Sequence, residues 1–422
     1  MGGRNSRPDS RTGRGTQLCC YWLQHERGVM QRDGVERFEE AVFRANAAFE
    51  LLLFDRLPLE QQQLLNDLQQ DTNCYGVLRS LQHPEPGIRA VDRDTALLFF
   101  TLQTPGHIPT YVKSQLGEDY CKTMLSFVLD DIFEIEWCGA WISGVEAYEK
   151  FYTEPLLPAV QGTIARLSLE AIQYAQALEL YDCMKLSMRL YGYNRLPLCA
   201  HWRQKFSTSD SVAEYLGLQT HANVQLLKRQ WIEVRSSASS SGWFAWSARD
   251  VQSTPDPARF VYKLYISPAC ACVRDAFQTT IEVLEGTQAA HFKIGKDVYG
   301  LLRPDKFVVY FASMEACQNA ATLLMRKLEG LPAHGVPFSA EIGGDGLLSW
   351  GIDPPGEEQT FSGRNGESWR LWVTNRLAAA LLNAQTGRSN RVEPWQFALG
   401  RLRLDGVNTE TWTPQVYWQA KE

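Results

Sequence analysis

The sequence predicts an α+β fold, with a largely helical N-terminal half and a C-terminal half made of a sheet covered by helices. Three observations predict it. Between about 33 and 230, apolar residues recur three and four apart, the period of a helix buried on one face. After Pro255-Asp256-Pro257, short runs rich in β-branched and aromatic residues alternate with helical patterns. The chain has 422 residues, 45% of them apolar and 21% charged, the make-up of a globular protein long enough for more than one domain.

Residues 1–16 carry four arginines among Gly, Ser and Asp and lack the apolar content to fold, so a disordered basic tail is expected. Met1-Gly2 with Ser6 matches an N-myristoylation pattern, which is taken as coincidental. A mostly helical domain is expected over 17–200. Its helices are read over 37–53, over 61–68 after the Leu57-Pro58-Leu59 break, over 121–133 and over 167–190. Trp137, Trp141, Tyr148, Phe151 and Tyr152 are read as helix packing. Ser211 with Glu214 is read as a capping box. A strand-rich connecting region is expected over 201–256, with strands at 230–235 and 243–246. The Ser-rich stretch 236–242 between them suits either a linker or a hairpin loop. An α+β domain is expected over 257–422. Its strands are read at 260–267, 290–294, 306–311, 337–342 and 347–352, and its helices at 271–284, from the Ser313 cap to 328, and at 367–382.

The formal charge is −6, from 48 acidic and 42 basic residues, which argues against a general binder of nucleic acid or anionic membrane. The ten cysteines are scattered and no signal peptide precedes them, so a reducing cytoplasm is expected rather than a disulfide framework. Cys270-Ala271-Cys272 resembles half a metal site but has no second half at ligand spacing, so neither metal nor cofactor is expected. No apolar run reaches the roughly 18 residues of a membrane helix.

The informative residues are three lysines on apolar strands: Lys263, Lys293 and Lys306. Lysine is rarely buried without a partner or a task. Residues two apart on a strand share a face, so Lys263 pairs with Tyr265, His291 with Lys293, and Lys306 with Val308 and Tyr310. On neighbouring strands the three ammoniums would converge on an anion, and crowding and burial would lower their pKa values towards those of a general base. The alternative is edge lysines that face solvent and discourage strand pairing. Arg303 and Lys296, on the loop 295–305, can close over a phosphate or stay solvated.

The order Lys263-Leu-Tyr265-Ile-Ser267, Phe292-Lys293, Asp305-Lys306-Phe307-Val-Val-Tyr310 and Gly335-Val-Pro-Phe-Ser339 resembles the phosphoserine/phosphothreonine lyase domain of lanthipeptide synthetases. The closing stretch from Asp353 through Phe361 and Arg364, with Arg370 and Arg376, resembles the HopA-type (type III secreted effector-like) family. Together these resemblances cover about 230–390. They imply β-elimination of phosphate from a Ser or Thr of a ribosomally made precursor peptide, after phosphorylation by a separate kinase. By motif position Lys293 would be the base, with Lys263 and Lys306 on the phosphate or oxyanion. Arg364 and Arg370 are carried over as further phosphate contacts. The synthetases have an acidic histidine where this chain has Tyr265, so the acid is open between Tyr265 and His291. No GxGxxG after a strand and no GxxxxGK[ST] is present, so the chain is not expected to be its own kinase. Two other functions fit the same residues: a phosphopeptide- or kinase-binding module without catalysis, and a secreted effector with the basic tail as its signal.

Overall fold

The structure, a computed structural model, describes residues 38, 40–59, 62, 73–81, 88–117, 120–152, 161–234, 242–249, 262–354, 367–387, 389 and 391–414. It is an α+β fold in which every strand pairing among the described residues is antiparallel. The N-terminal part holds strands β1 (Phe43–Ala45), β2 (Phe49–Leu52), β3 (Cys74–Ser80), β4 (Ile88–Asp92), β5 (Phe133–Trp137) and β6 (Ala140–Ile142). They form two three-stranded sheets, β1-β5-β6 and β2-β3-β4. The principal sheet uses β7 (Trp231–Glu233), β8 (Trp243–Ala248), β9 (Tyr262–Ile266), β10 (His291–Gly295), β11 (Phe307–Phe311), β12 (Ala340–Ile342) and β13 (Leu348–Ile352). Its order is β12-β13-β9-β11-β10-β8-β7.

Alternation divides the residues of this sheet cleanly. Leu264, Ile266, Phe292, Ile294, Phe307, Val309 and Phe311 form a dry face. Helices Val273–Leu284 and Met314–Lys327 cover it, and Phe277 lies 5.6 Å from Phe307, ring centre to ring centre. The other face carries Lys263, Tyr265, His291, Lys293, Val308 and Tyr310. Only a small apolar group sits there, Tyr265 and Val308 with Val336 and Tyr310, separate from the main core. Helices Cys183–Tyr191 and Trp369–Thr386 pack together and reach this face. Gly351, opposite Lys263, makes room for them: a Cβ there would meet the Trp369 ring at 2.7 Å. Gly295 closes β10 in a similar way, since its Cβ would lie 2.5 Å from the Gly300 carbonyl carbon. The turn between these glycines is fixed by Asp297, which accepts from the Gly300 amide at 2.6 Å.

Several local expectations are corrected. Within the segment read as a helix over 37–53, the described residues 40–53 hold β1 and β2 instead. Asn46 makes the turn between them, accepting from the Ala48 amide at 2.9 Å. Short apolar runs fit both periods, and the distant partners β5 and β3 decide for strand. The helix read over 121–133 ends at Leu129, and Phe133 opens a strand. The helix read over 167–190 is two, Thr163–Gln176 and Cys183–Tyr191, the second capped by Asp182. The capping box centres on Thr208, with Ser211 rather than Glu214 as its reciprocal partner. β7 pairs with β8, so the Ser-rich stretch joins two strands of one sheet. Most of that stretch, the tail 1–16 and Arg364 lie outside the described residues.

Candidate active site

Strand register sets the site in two rows across the polar face. One row runs Ser349, Tyr265, Val308, Lys293, Ala245. The next runs Gly351, Lys263, Tyr310, His291, Ser247. Small residues at Val308 and Ala245 leave Lys293 standing between larger neighbours. Its Nζ sits 4.6 Å from the Trp243 ring centre and 5.4 Å from that of Tyr310. It makes no hydrogen bond or ion pair among the described residues. Burial, and then the nearby Lys263 ammonium, push the Lys293 pKa down to about 8.

Lys263 is held differently. Its Nζ donates to Asp353 Oδ1 at 2.6 Å and lies 5.4 Å from the Tyr310 ring centre. The same carboxylate oxygen accepts from the Trp369 amide at 3.1 Å, so Asp353 ties the lysine to the start of the long helix. His291 pairs with Ser247 Oγ at 3.1 Å through Nδ1. Burial, then Lys293, lower its pKa to about 4, so its ring is neutral at neutral pH. Tyr265 and Tyr310 have their pKa values raised, by burial first and then by Asp353. Both phenols keep their protons, and neither hydroxyl has a hydrogen-bond partner among the described residues.

A buried carboxylate organises the arginines. Asp305 Oδ1 accepts from Arg303 Nε at 2.8 Å, and Oδ2 accepts from Arg303 Nη2 at 2.8 Å and from the Tyr191 hydroxyl at 3.1 Å. Arg370 Nη1 forms an ion pair with Oδ2 at 2.9 Å; its orientation is too poor for a hydrogen bond. Burial acts to raise the Asp305 carboxyl, but Arg370 and Arg303 outweigh it and hold it below the usual carboxylate range. Arg303 Nη1 is left without a partner among the described residues, while the guanidinium lies 5.1 Å from the Trp243 ring centre.

Of the residues expected from sequence, the fold thus assembles Lys263, Tyr265, His291, Lys293, Arg303 and Arg370. Lys306 is set apart. It is fully buried, donating to the Pro268 carbonyl at 3.1 Å and meeting His334 Nδ1 at 2.7 Å. His334 Nε2 donates to the Asn194 carbonyl at 2.6 Å, which leaves Nδ1 to accept from Lys306. Burial lowers the Lys306 pKa to about 7, and the charges it senses are Cys270 and Asp305, not Lys263 or Lys293. Lys296 follows β10 on the turn; its amide donates to the Gly242 carbonyl, and its side chain makes no polar contact among the described residues. No cluster of three His, Cys, Asp or Glu among the described residues is placed to hold a metal. No described helix is long and apolar enough to cross a membrane.

Because the folded-state pKa of Lys306 is depressed, the folded chain binds fewer protons than the unfolded chain between about pH 7 and about pH 10. Stability from this group therefore rises with pH across that window and is flat below it. Lys306→Met is expected to remove this slope. Denaturant midpoints of wild type and variant at pH 6.5 and 9.5, compared pairwise, check it.

Sequence reasoning missed Tyr191, Trp243, Asp305, His334 and Asp353. Only the Arg303-x-Asp305 spacing offered a local signal; the others reach the site from distant segments. A separate surface groove along Gly162, Thr163, Arg166, Leu169, Glu170 and Gln173 shares none of these residues.

No protein-family model matches the sequence, and no curated protein matches it. Among solved structures, the chain is similar to an effector protein from Pseudomonas syringae pv. tomato strain DC3000, at 12% identity and a TM-score of 0.37, over 60% of this chain and 97% of that one. It is also similar to an effector protein from Pseudomonas syringae pv. syringae strain 61, at 14% identity and a TM-score of 0.37, over 61% and 99%. A third likeness is to the type III effector and phosphothreonine lyase OspF from Shigella flexneri, at 15% identity and a TM-score of 0.26, over 35% and 84%. These likenesses are too distant to carry an activity across, so function rests on this chain's own residues.

Proposed function

We propose that the protein is a phosphoserine/phosphothreonine lyase that removes phosphate by β-elimination. The observation that carries this reading is a Lys293 amine of lowered pKa, without a hydrogen bond or ion pair among the described residues, on a sheet face with surplus positive charge. Lys263, Lys293, Arg303 and Arg370 face Asp305 and Asp353 there, four cations against two carboxylates. The excess is two with Lys293 protonated and one with Lys293 neutral, the form that acts as base, and the unbonded groups Arg303 Nη1, Tyr265 Oη and Tyr310 Oη are free to meet a phosphate dianion.

In the proposed reaction neutral Lys293 takes the Cα proton. The C–H electron pair becomes the second bond of Cα=Cβ as the Cβ–O bond breaks, and phosphate leaves with the Cβ–O pair. Lys263 stabilises the enolate-like amide oxygen, and Arg303 grips the phosphate. Tyr265 is the proposed proton donor to the leaving group, because of Tyr265 and His291 it is the one that keeps a proton to give. His291 has no proton to spare as imidazolium at neutral pH, whereas the Tyr265 hydroxyl is protonated and unbonded. Lys306, enclosed with His334, supports the backbone at Pro268 rather than touching substrate. The finer reading is a precursor peptide, phosphorylated by a separate kinase, in peptide natural-product biosynthesis. A non-catalytic phosphopeptide module remains the second reading, favoured by Tyr265 where an acidic histidine is expected.

Incubation with a synthetic phosphothreonine peptide tests the proposal by mass spectrometry. Loss of phosphoric acid from the peptide supports the lyase; saturable binding with no mass change supports the module. The free-enzyme kcat/KM is expected to rise with pH through an apparent pKa of about 8, as Lys293 loses its proton. A rate that is flat from pH 6.5 to 9 would remove Lys293 from the base role.

A further inference from the structure

We infer that Tyr191, at the end of helix Cys183–Tyr191, is a positioning residue that, with Arg370 and Asp305, aims the phosphate-gripping Arg303, so the helical region is part of the site. The inference rests on the proposed phosphate pocket. Tyr191 makes polar contacts to both arginines and to the carboxylate between them. Its hydroxyl donates to Asp305 Oδ2 and accepts from Arg303 Nη2, each at 3.1 Å. Its carbonyl accepts from Arg370 Nη2 at 2.9 Å. Its ring centre lies 4.6 Å from the Arg370 guanidinium carbon and 5.6 Å from that of Arg303.

Each contact answers a specific problem. Two guanidiniums on one carboxylate repel each other, and an aromatic face close to both offsets part of that repulsion. Asp305 holds the Arg303 fork at two points, Nε and Nη2. The phenol adds a third fixed point and occupies Nη2 further, so Nη1 is the part of the fork left for an anion. The chain just beyond reinforces the same geometry. Asn194, in a left-handed conformation at φ +63°, donates to the His334 and Gly335 carbonyls and accepts from His334 Nε2. One short segment, 191–194, therefore sets both the arginine pair and the Lys306–His334 pair.

Tyr191→Phe keeps the ring and the carbonyl and removes only the hydroxyl. The expected result is a KM for phosphothreonine peptide raised about tenfold, with kcat changed little, because a hydrogen bond to a charged group is lost. Competitive inhibition by inorganic phosphate is expected to weaken by the same factor. An unchanged KM overturns the inference, and so does a lowered unfolding midpoint with KM intact, which marks a packing role only. If wild type binds inorganic phosphate but eliminates nothing, the lyase reading falls. The phosphate affinities of wild type and Tyr191→Phe then decide this inference alone. A wild type that binds no phosphate overturns both.

Discussion

Lys293→Ala is expected to lower kcat for phosphothreonine elimination by about a thousandfold, within the range that general-base groups supply. Phosphopeptide affinity should change little. The amine makes no ion pair or hydrogen bond among the described residues, so its loss strands no buried charge and the fold should keep its stability. Removing it also relieves His291 of a neighbouring positive charge that lowers its pKa. The variant should therefore bind phosphopeptide and hold it intact, which isothermal titration and single-turnover mass spectrometry check side by side. Elimination at the wild-type rate would disprove the base assignment.

Asp305→Ala is expected to be the most destabilising change in the pocket, costing about 3–5 kcal/mol, because it leaves buried arginine charge uncompensated. Arg370 is 1% exposed and Asp305 5%, so water cannot take the carboxylate's place. The pH dependence follows from the direction of the Asp305 shift. A carboxyl held below its usual range stabilises the fold above about pH 4, and that contribution is lost as pH falls further, towards its folded-state pKa. The gap between wild type and variant should be full at pH 7 and narrow in acid. Denaturant unfolding at pH 7 and pH 3.5 measures it, and a gap that does not narrow would show that the ionised carboxylate is not what stabilises this cluster.

The sequence made the centre of the site legible because strand alternation is a strong, local rule. Lys263 with Tyr265, and His291 with Lys293, fall on one face once the strands are recognised, and the register places them in adjacent rows. Lys306 shows where the rule stops. It precedes β11, and its surroundings come from Pro268 and His334, which no local pattern connects to it. Tyr191 carried no cue for the same reason, and Asp353 stood out only as the start of the effector-like stretch, with nothing local to tie it to Lys263. In the N-terminal part, short apolar runs at 43–45 and 49–52 fit helix and strand alike, and only their pairing with β5 and β3 settles the matter. The helix break before Cys183 had a readable cue in Asp182, whose side chain caps the second helix.

The glycine pair at the end of β10 has a bearing on which phosphoamino acid the proposed lyase would accept. Gly295 and Gly300 touch backbone to backbone, with no side chain between them to give way. Lys293 lies just before this contact and Arg303 just after it, so amine and guanidinium are mounted on one stiff bracket. In the proposed lyase that bracket is a ruler. Phosphoserine and phosphothreonine place one carbon and one oxygen between the Cα and the phosphorus. Phosphotyrosine inserts an aromatic ring into that span and overshoots the gauge before any contact with the rest of the peptide is considered.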